Sequence, residues 1–236
     1  MNFLSLISLF IFVTNLWATS PGPIFSYKEL SQIVGYEDVW KAYESQRISY
    51  DEVMALSSYV SYDDPIYPEI NEYLRTGKAD LLYYFTNVDE LKRSISQMDS
   101  GIKKLAILPA NLLSFRGVNF KFRNDKCYKK GEIFNDPGFG STSVNHSVAE
   151  SFSGAIADNI KSSGVLYLYS NDRHPGILIN SLEEEVLLPR NLKFKIMDRV
   201  DQGKVCRLLV QICVTECTNE VSRLEVTQNW KKIFQK

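Results

Sequence analysis

The spacing of apolar residues changes period near residue 105, and that change constrains the fold more than any other feature of this 236-residue chain. Ahead of it, Ser26-Tyr-Lys-Glu29, Ser49-Tyr-Asp-Glu52 and Thr86-Asn-Val-Asp89 each match a capping box. In that pattern a hydroxyl and a carboxylate three residues apart satisfy the unpaired N–H groups of a helix start. Between them Ile66, Ile70, Tyr73 and Leu74 recur at helical spacing, and Gly77 stands where a left-handed cap ends the helix. Beyond the change, residues 112–118, 138–144, 165–169, 177–179, 183–188, 192–196 and 205–214 read as strands. One more box, Ser147-Val-Ala-Glu150, predicts a helix running toward Ile160. Helices gathered at the front with strands behind make an α+β fold: a helical part over about residues 26–100 and a β core over about 105–215. With 44% apolar and 23% charged residues, one sizeable core and a single domain over residues 21–236 are expected.

The first twenty residues follow a different logic. Residues 3–13 are apolar except for Ser5 and Ser8, and the small residues Ala18-Thr19-Ser20 follow. This is the layout of a cleaved signal peptide, although no Lys or Arg precedes the apolar run. The run is too short to cross a hydrocarbon layer of roughly 30 Å, and the competing reading, a buried helix, lacks a polar face. A secreted protein with no stable membrane insertion is expected. Lys+Arg at 27 against Asp+Glu at 28 leaves no global field to gather nucleic acid.

Export permits disulfides, and the four cysteines Cys127, Cys206, Cys213 and Cys217 allow three pairings. Cys206 and Cys213 are seven apart in one predicted strand, which turns them to opposite faces and speaks against their pairing with each other. No C-x₂-C pair exists and His146 and His174 lie far from the cysteines in sequence, so no zinc site is expected.

Ser181-Leu182-Glu183-Glu184-Glu185-Val-Leu-Leu-Pro189 carries the most chemistry. Read as a strand, it sends Glu183 and Glu185 to one face, and a carboxylate pair serves glycosidic-bond chemistry: one acid stabilises an oxocarbenium-like centre and the other handles a proton. Alone, the triple glutamate is as well explained by a solvated turn. Gly138-Phe139-Gly140-Ser141-Thr142-Ser143 adds a second strand in which Ser141 and Ser143 face one way, and a hydroxyl there can fix a neighbouring carboxylate. Ser141 is not read as an acyl-transfer nucleophile, because no G-x-S-x-G elbow surrounds it and neither histidine is placed as its base; both histidines read as surface residues. In Leu113-Ser-Phe-Arg116-Gly117-Val118 a guanidinium suited to phosphate interrupts an apolar strand beside a glycine that permits close backbone approach. Lys121, Arg123, Lys126, Lys129 and Lys130 form a basic loop read as a solvated face.

In this order, Phe115-Arg116-Gly117, the Ser141-Thr142-Ser143 segment with Ala149 and Phe152 after it, and Glu183-Glu184-Glu185 resemble the ADP-ribosyltransferase superfamily. The branch is the one with an Arg, Ser-Thr-Ser, Glu-x-Glu signature, which includes clostridial binary toxins and vertebrate ecto-enzymes. Ile70-Asn-Glu-Tyr-Leu-Arg75 looks like the segment preceding the arginine strand there, so the resemblance spans roughly residues 26–214. It implies a split two-sheet core with NAD⁺ as co-substrate in the cleft, no metal, and a monomer that transfers ADP-ribose to an arginine of a target protein. Arg116 would hold the pyrophosphate, Gly117 would meet the nicotinamide amide, and Thr142, Ser143 and Phe152 would complete the NAD⁺ site. Ser141 would orient Glu185, which would stabilise the cation left when nicotinamide departs. Glu183 would position and activate the incoming guanidinium; relatives that modify asparagine carry glutamine there. An NAD⁺ glycohydrolase using the same cleft, or an inactive binding protein of the same fold, are the alternatives.

Two departures from that branch are visible. Phe115 replaces a frequent tyrosine, and the turn expected over residues 171–182, which helps recognise the target, has no aromatic residue. The sequon Asn145-His-Ser147 is expected to stay unmodified, since a glycan there would crowd the cleft.

Overall fold

The structure, a computed structural model, describes residues 25–61, 65–79, 82–105, 107–119, 127–153, 163–202 and 205–217. The expected signal peptide, the extension of the last helix to Ile160, and Lys121, Arg123 and Lys126 of the basic loop lie outside those residues. No helix among the described residues is long and apolar enough to cross a membrane.

Helices form where the caps direct them. α1 (Tyr27–Val34) and α3 (Tyr50–Tyr59) start at Ser26 and Ser49 with both halves of each capping box made. The short α2 (Val39–Glu44) is capped by Asp38. α4 (Tyr67–Thr76) ends at Gly77, whose φ of 71° is the left-handed conformation that a side chain would resist. α5 (Val88–Lys104) differs from expectation by one residue. Asn87, not Thr86, is its cap: the amide oxygen accepts from Glu90 N at 2.9 Å, and Glu90 reaches back to Thr86 N at 2.8 Å. Asparagine serves as well as a hydroxyl here, so the motif had two overlapping registers.

The strands are β1 (Ile107–Leu108), β2 (Leu113–Asn119), β3 (Ile133–Asp136), β4 (Gly140–Ser143), β5 (Ser163–Tyr169), β6 (His174–Pro175), β7 (Ile177–Asn180), β8 (Glu185–Leu188), β9 (Leu192–Gln202) and β10 (Val205–Cys213), with α6 (His146–Ser153) between β4 and β5. β1 and β6 pair separately, and the rest form one sheet in the order β3-β9-β10-β5-β2-β4-β8-β7. The α+β expectation holds. So does the split, in a specific form: β2 and β4 share the single register pair Phe115–Ser143, whereas β2 and β5 share seven. The sheet is therefore two blades joined at one seam.

Alternation along the central strands makes two cores. Leu166, Leu168, Leu208, Val210 and Ile212 face the helices α1 to α5, while Phe115, Val165, Tyr167, Tyr169 and Leu209 pack against Ala149 of α6. Cys206 and Cys213 do not pair with each other; the disulfides are Cys127–Cys206 and Cys213–Cys217. Neither histidine is a surface residue. His174 is fully buried in β6, with Nδ1 at 3.1 Å from Pro175 O. His146 is half-buried against the Phe115 ring and the Tyr167 hydroxyl. Both were misplaced because strand β6 and the packing of α6 leave little trace in a two-residue or eight-residue segment. Residues 171–182, expected as one turn, are half strand: they bend at 171–172, carry β6 and β7, and turn again over 181–184, directly before β8.

Candidate active site

A cleft of about 520 Å³ opens at the seam, within the usual range for a site that takes a small organic ligand. Its floor is the two strands that meet there, β2 with Arg116 and Gly117 and β4 with Ser141. One wall carries Tyr67 of α4, the other Phe152 of α6, and both rings are substantially exposed to the opening. Glu183 and Glu185 line the same space. The residues singled out from sequence thus come together although the chain separates Arg116 from Glu185 by most of the β core.

Pairing fixes the carboxylate. β4 and β8 run antiparallel with Ser143 opposite Glu185, so Ser141, Ser143 and Glu185 share a face. The Ser141 hydroxyl donates to Glu185 Oε1. Only 5% of Glu185 is exposed. Burial pushes its carboxyl up to about 7, the neighbouring Glu183 charge adds to the rise, and the Ser141 hydrogen bond opposes it. The other two hydroxyls of the run are used internally. Thr142 Oγ1 donates to Val186 O at 2.9 Å, which staples β4 to β8, and Ser143 Oγ donates to Glu183 O at 2.8 Å. Both line the cleft, but Thr142 spends this bond on β8 and Ser143 spends its own on the acidic turn.

Glu183 does not belong to the strand, as the sequence pattern had it. Residues 181–184 turn, and Glu184 takes a φ of 48°; a left-handed residue breaks the alternation before β8 begins. Glu183 reaches the cleft through this turn, held by Ser143 and by Val144 N donating to Glu184 O at 3.1 Å. Gly117 also has a role the sequence did not indicate. A Cβ on it would lie 2.2 Å from Ala149 O and 2.4 Å from Ser153 N. Its bareness lets α6 lie directly on β2, which sets the wall bearing Phe152. α6 itself is capped by Asn145, whose Oδ1 accepts from Ser147 N at 3.0 Å, and not by Ser147.

Three residues of the site were not singled out. Arg75 of α4 forks onto Asp136 with both distances 3.0 Å, and Arg116 Nη1 lies 3.3 Å from the same carboxylate. Burial alone would raise the Asp136 pKa, but Arg116 and Arg75 outweigh it and hold the group below the usual carboxylate range. Asn71 accepts from Phe139 N at 2.9 Å and donates to the Tyr59 hydroxyl at 2.8 Å, which ties α3 and α4 to the entry of β4. Asp136-Pro-Gly138 has the composition of a turn, which with the Ile70-to-Arg75 resemblance is what marks this corner in the sequence.

A stability prediction follows from Glu185. Its pKa is raised in the folded chain, so its contribution to stability is fully present below the unfolded value near 4.5 and is lost as pH rises through about 7. Glu185→Gln keeps the shape without the buried charge. It should melt a few degrees above the parent at pH 8, and the gap should close at pH 4 to 5. Thermal melts of both proteins across that range check this; a constant gap would mean that Glu185 is not the titrating group.

The comparisons with known proteins agree with this geometry. The family model of the ADP-ribosyltransferase exoenzymes matches residues 35–229. A Mycobacterium avium (strain 104) protein named for NAD(+)–arginine ADP-ribosyltransferase activity, Mav, is 26% identical over 162 residues; these are 66% of this chain, and the match spans 17% of that protein's length. Among solved structures, the Vibrio splendidus toxin Vis, in a complex with agmatine, aligns with a TM-score of 0.56 at 20% identity, covering 86% of this chain and 90% of that one. An ADP-ribosyltransferase from Clostridium botulinum aligns at 0.55 and 18%, covering 78% and 94%. Pseudomonas aeruginosa exoenzyme S, bound to human 14-3-3 protein beta and carba-NAD, aligns at 0.56 and 20%, covering 86% and 95%. The structural matches share the fold, and with a family match over most of its length the chain belongs to the ADP-ribosyltransferase exoenzyme family.

Proposed function

We propose that this chain is a secreted NAD⁺-dependent protein-arginine mono-ADP-ribosyltransferase. One observation carries the reading: a guanidinium, a hydroxyl and two carboxylates, remote in sequence, line one cleft of dinucleotide scale. Arg116, with Arg75 beside it, offers fixed donors to the pyrophosphate. The exposed Phe152 ring and the Gly117 backbone flank the nicotinamide end. Glu185, oriented by Ser141, would face the ribose C1′ and stabilise positive charge as the C1′–N bond breaks and its electron pair leaves with nicotinamide. A guanidinium nitrogen of the target then supplies the pair for the new C1′–N bond, and its proton passes to the Glu183 carboxylate. Glu183 as a carboxylate, with no glutamine in its place, supports arginine as the acceptor, in keeping with the agmatine complex of Vis. Two disulfides support export, because such bonds persist in oxidising compartments.

The test incubates the full chain with NAD⁺ and agmatine and follows both by mass spectrometry. Agmatine should gain one ADP-ribose for each nicotinamide released. Nicotinamide release without an adduct would identify a glycohydrolase instead, and no release would reject the catalytic reading.

A further inference from the structure

We propose that Asp136 is a positioning residue for the dinucleotide: one rear carboxylate holds Arg75 and Arg116 side by side so that both guanidinium groups meet the pyrophosphate. The proposal rests on the reading of the cleft as an NAD⁺ site. Arg75 comes from α4, Arg116 from β2 and Asp136 from the end of β3, three elements distant in the chain. Arg75 spends Nε and Nη2 on Asp136, and Arg116 spends Nη1. A guanidinium has five N–H donors, so each keeps others for a ligand. Both arginines line the cleft, whereas Asp136 does not. It lies behind them, 16% exposed at its side chain.

Two cations on one anion leave a net charge of +1, and the pyrophosphate of NAD⁺ brings two negative charges. Without Asp136 the two guanidinium groups repel each other, and the long arginine side chains lose a contact that they share. Arg75 is 40% exposed and would swing outward. Asp136 is itself held, since Oδ1 accepts from Gly138 N at 3.0 Å. That turn leads through Phe139 to Gly140, where an added Cβ would lie 3.1 Å from Arg116 Nη1. The same corner therefore sets the arginine pair and delivers β4 with Ser141, across a seam where β2 and β4 share one register pair.

Asp136→Asn tests this, because the amide keeps the shape and the bond from Gly138 N while removing the charge. Binding of NAD⁺ by calorimetry, KM and kcat with agmatine, and inhibition by nicotinamide are measured for the parent, Asp136→Asn, Arg75→Met and the double variant. The dissociation constant and KM for NAD⁺ should rise about tenfold or more, the scale on which loss of an orienting partner weakens the group it orients. kcat and the inhibition constant of nicotinamide, which has no phosphate, should stay within about twofold. The Asp136→Asn effect should shrink in the Arg75→Met background. A general disturbance of the fold would weaken nicotinamide as much as NAD⁺ and overturn the proposal, as would an unchanged or tighter NAD⁺ constant. A parent protein that binds no NAD⁺ would instead overturn the reading of the cleft, and the proposal with it.

Discussion

Glu185→Gln is expected to lower kcat for NAD⁺ turnover by about 10³-fold or more while the dissociation constant for NAD⁺ changes by less than about threefold. The amide fills the same volume and still accepts the Ser141 hydroxyl, so the cleft keeps its shape. What disappears is the negative charge that the buried Glu185 side chain carries once ionised, and a buried charge opposite a developing cation acts with little screening. The ground-state dinucleotide gains little from that charge, because its C1′ is not yet cationic. The loss therefore belongs in kcat and not in binding. Single-turnover release of nicotinamide from saturating NAD⁺, read beside calorimetric binding, separates the two. Activity within tenfold of the parent would remove Glu185 from the chemistry; equal losses in binding and turnover would make it a ligand for the dinucleotide only.

The elements that position this site differ in how plainly the sequence announces them. α1 and α3 were legible because Ser26 and Ser49 make local, self-contained caps, with donor and acceptor three residues apart. β5 and β10 were legible as apolar runs bounded by polar residues. β3 was not: Ile133-Phe-Asn-Asp136 is four residues long with alternating partial exposure, and its pairing to β9 is a long-range fact. With β3 went Asp136, whose value lies wholly in two partners from α4 and β2. The start of β8 was misread for a related reason. Glu183-Glu184-Glu185 is uniform in composition, and what ends the turn is the left-handed conformation of Glu184, which no glycine or asparagine advertises. Ser141 and Glu185 were legible as a motif, yet their contact depends on the register of β4 against β8.

Gly117 illustrates a different kind of gap. A glycine beside an arginine in a strand suggests room for a ligand, and the structure gives that room to α6. The two uses converge, because the wall carrying Phe152 stands where it does only while α6 touches the β2 backbone. A residue type can thus signal close approach without saying what approaches.

Glu183→Gln is expected to separate the two half-reactions. Transfer to agmatine should fall by about 10²-fold or more, the usual worth of a placed proton acceptor, while release of nicotinamide to water stays within about threefold of the parent. The physical reason is the division of labour between the two carboxylates. Glu185 is buried and bonded to Ser141, and the proposed reaction assigns it to the bond that breaks. Glu183 is half-buried in the turn 181–184, where Ser143 anchors its backbone, and it lines the cleft. A guanidinium is protonated near neutral pH and must lose a proton as it attacks, whereas an attacking water can pass its proton on to solvent. Glutamine can hold the guanidinium's place but neither attracts its charge nor accepts its proton. Paired assays, nicotinamide release and agmatine adduct from the same reaction, give the ratio directly. Parallel loss of both products would assign Glu183 to the breaking of the glycosidic bond, and an unchanged ratio at full activity would leave the acceptor's proton to some other group.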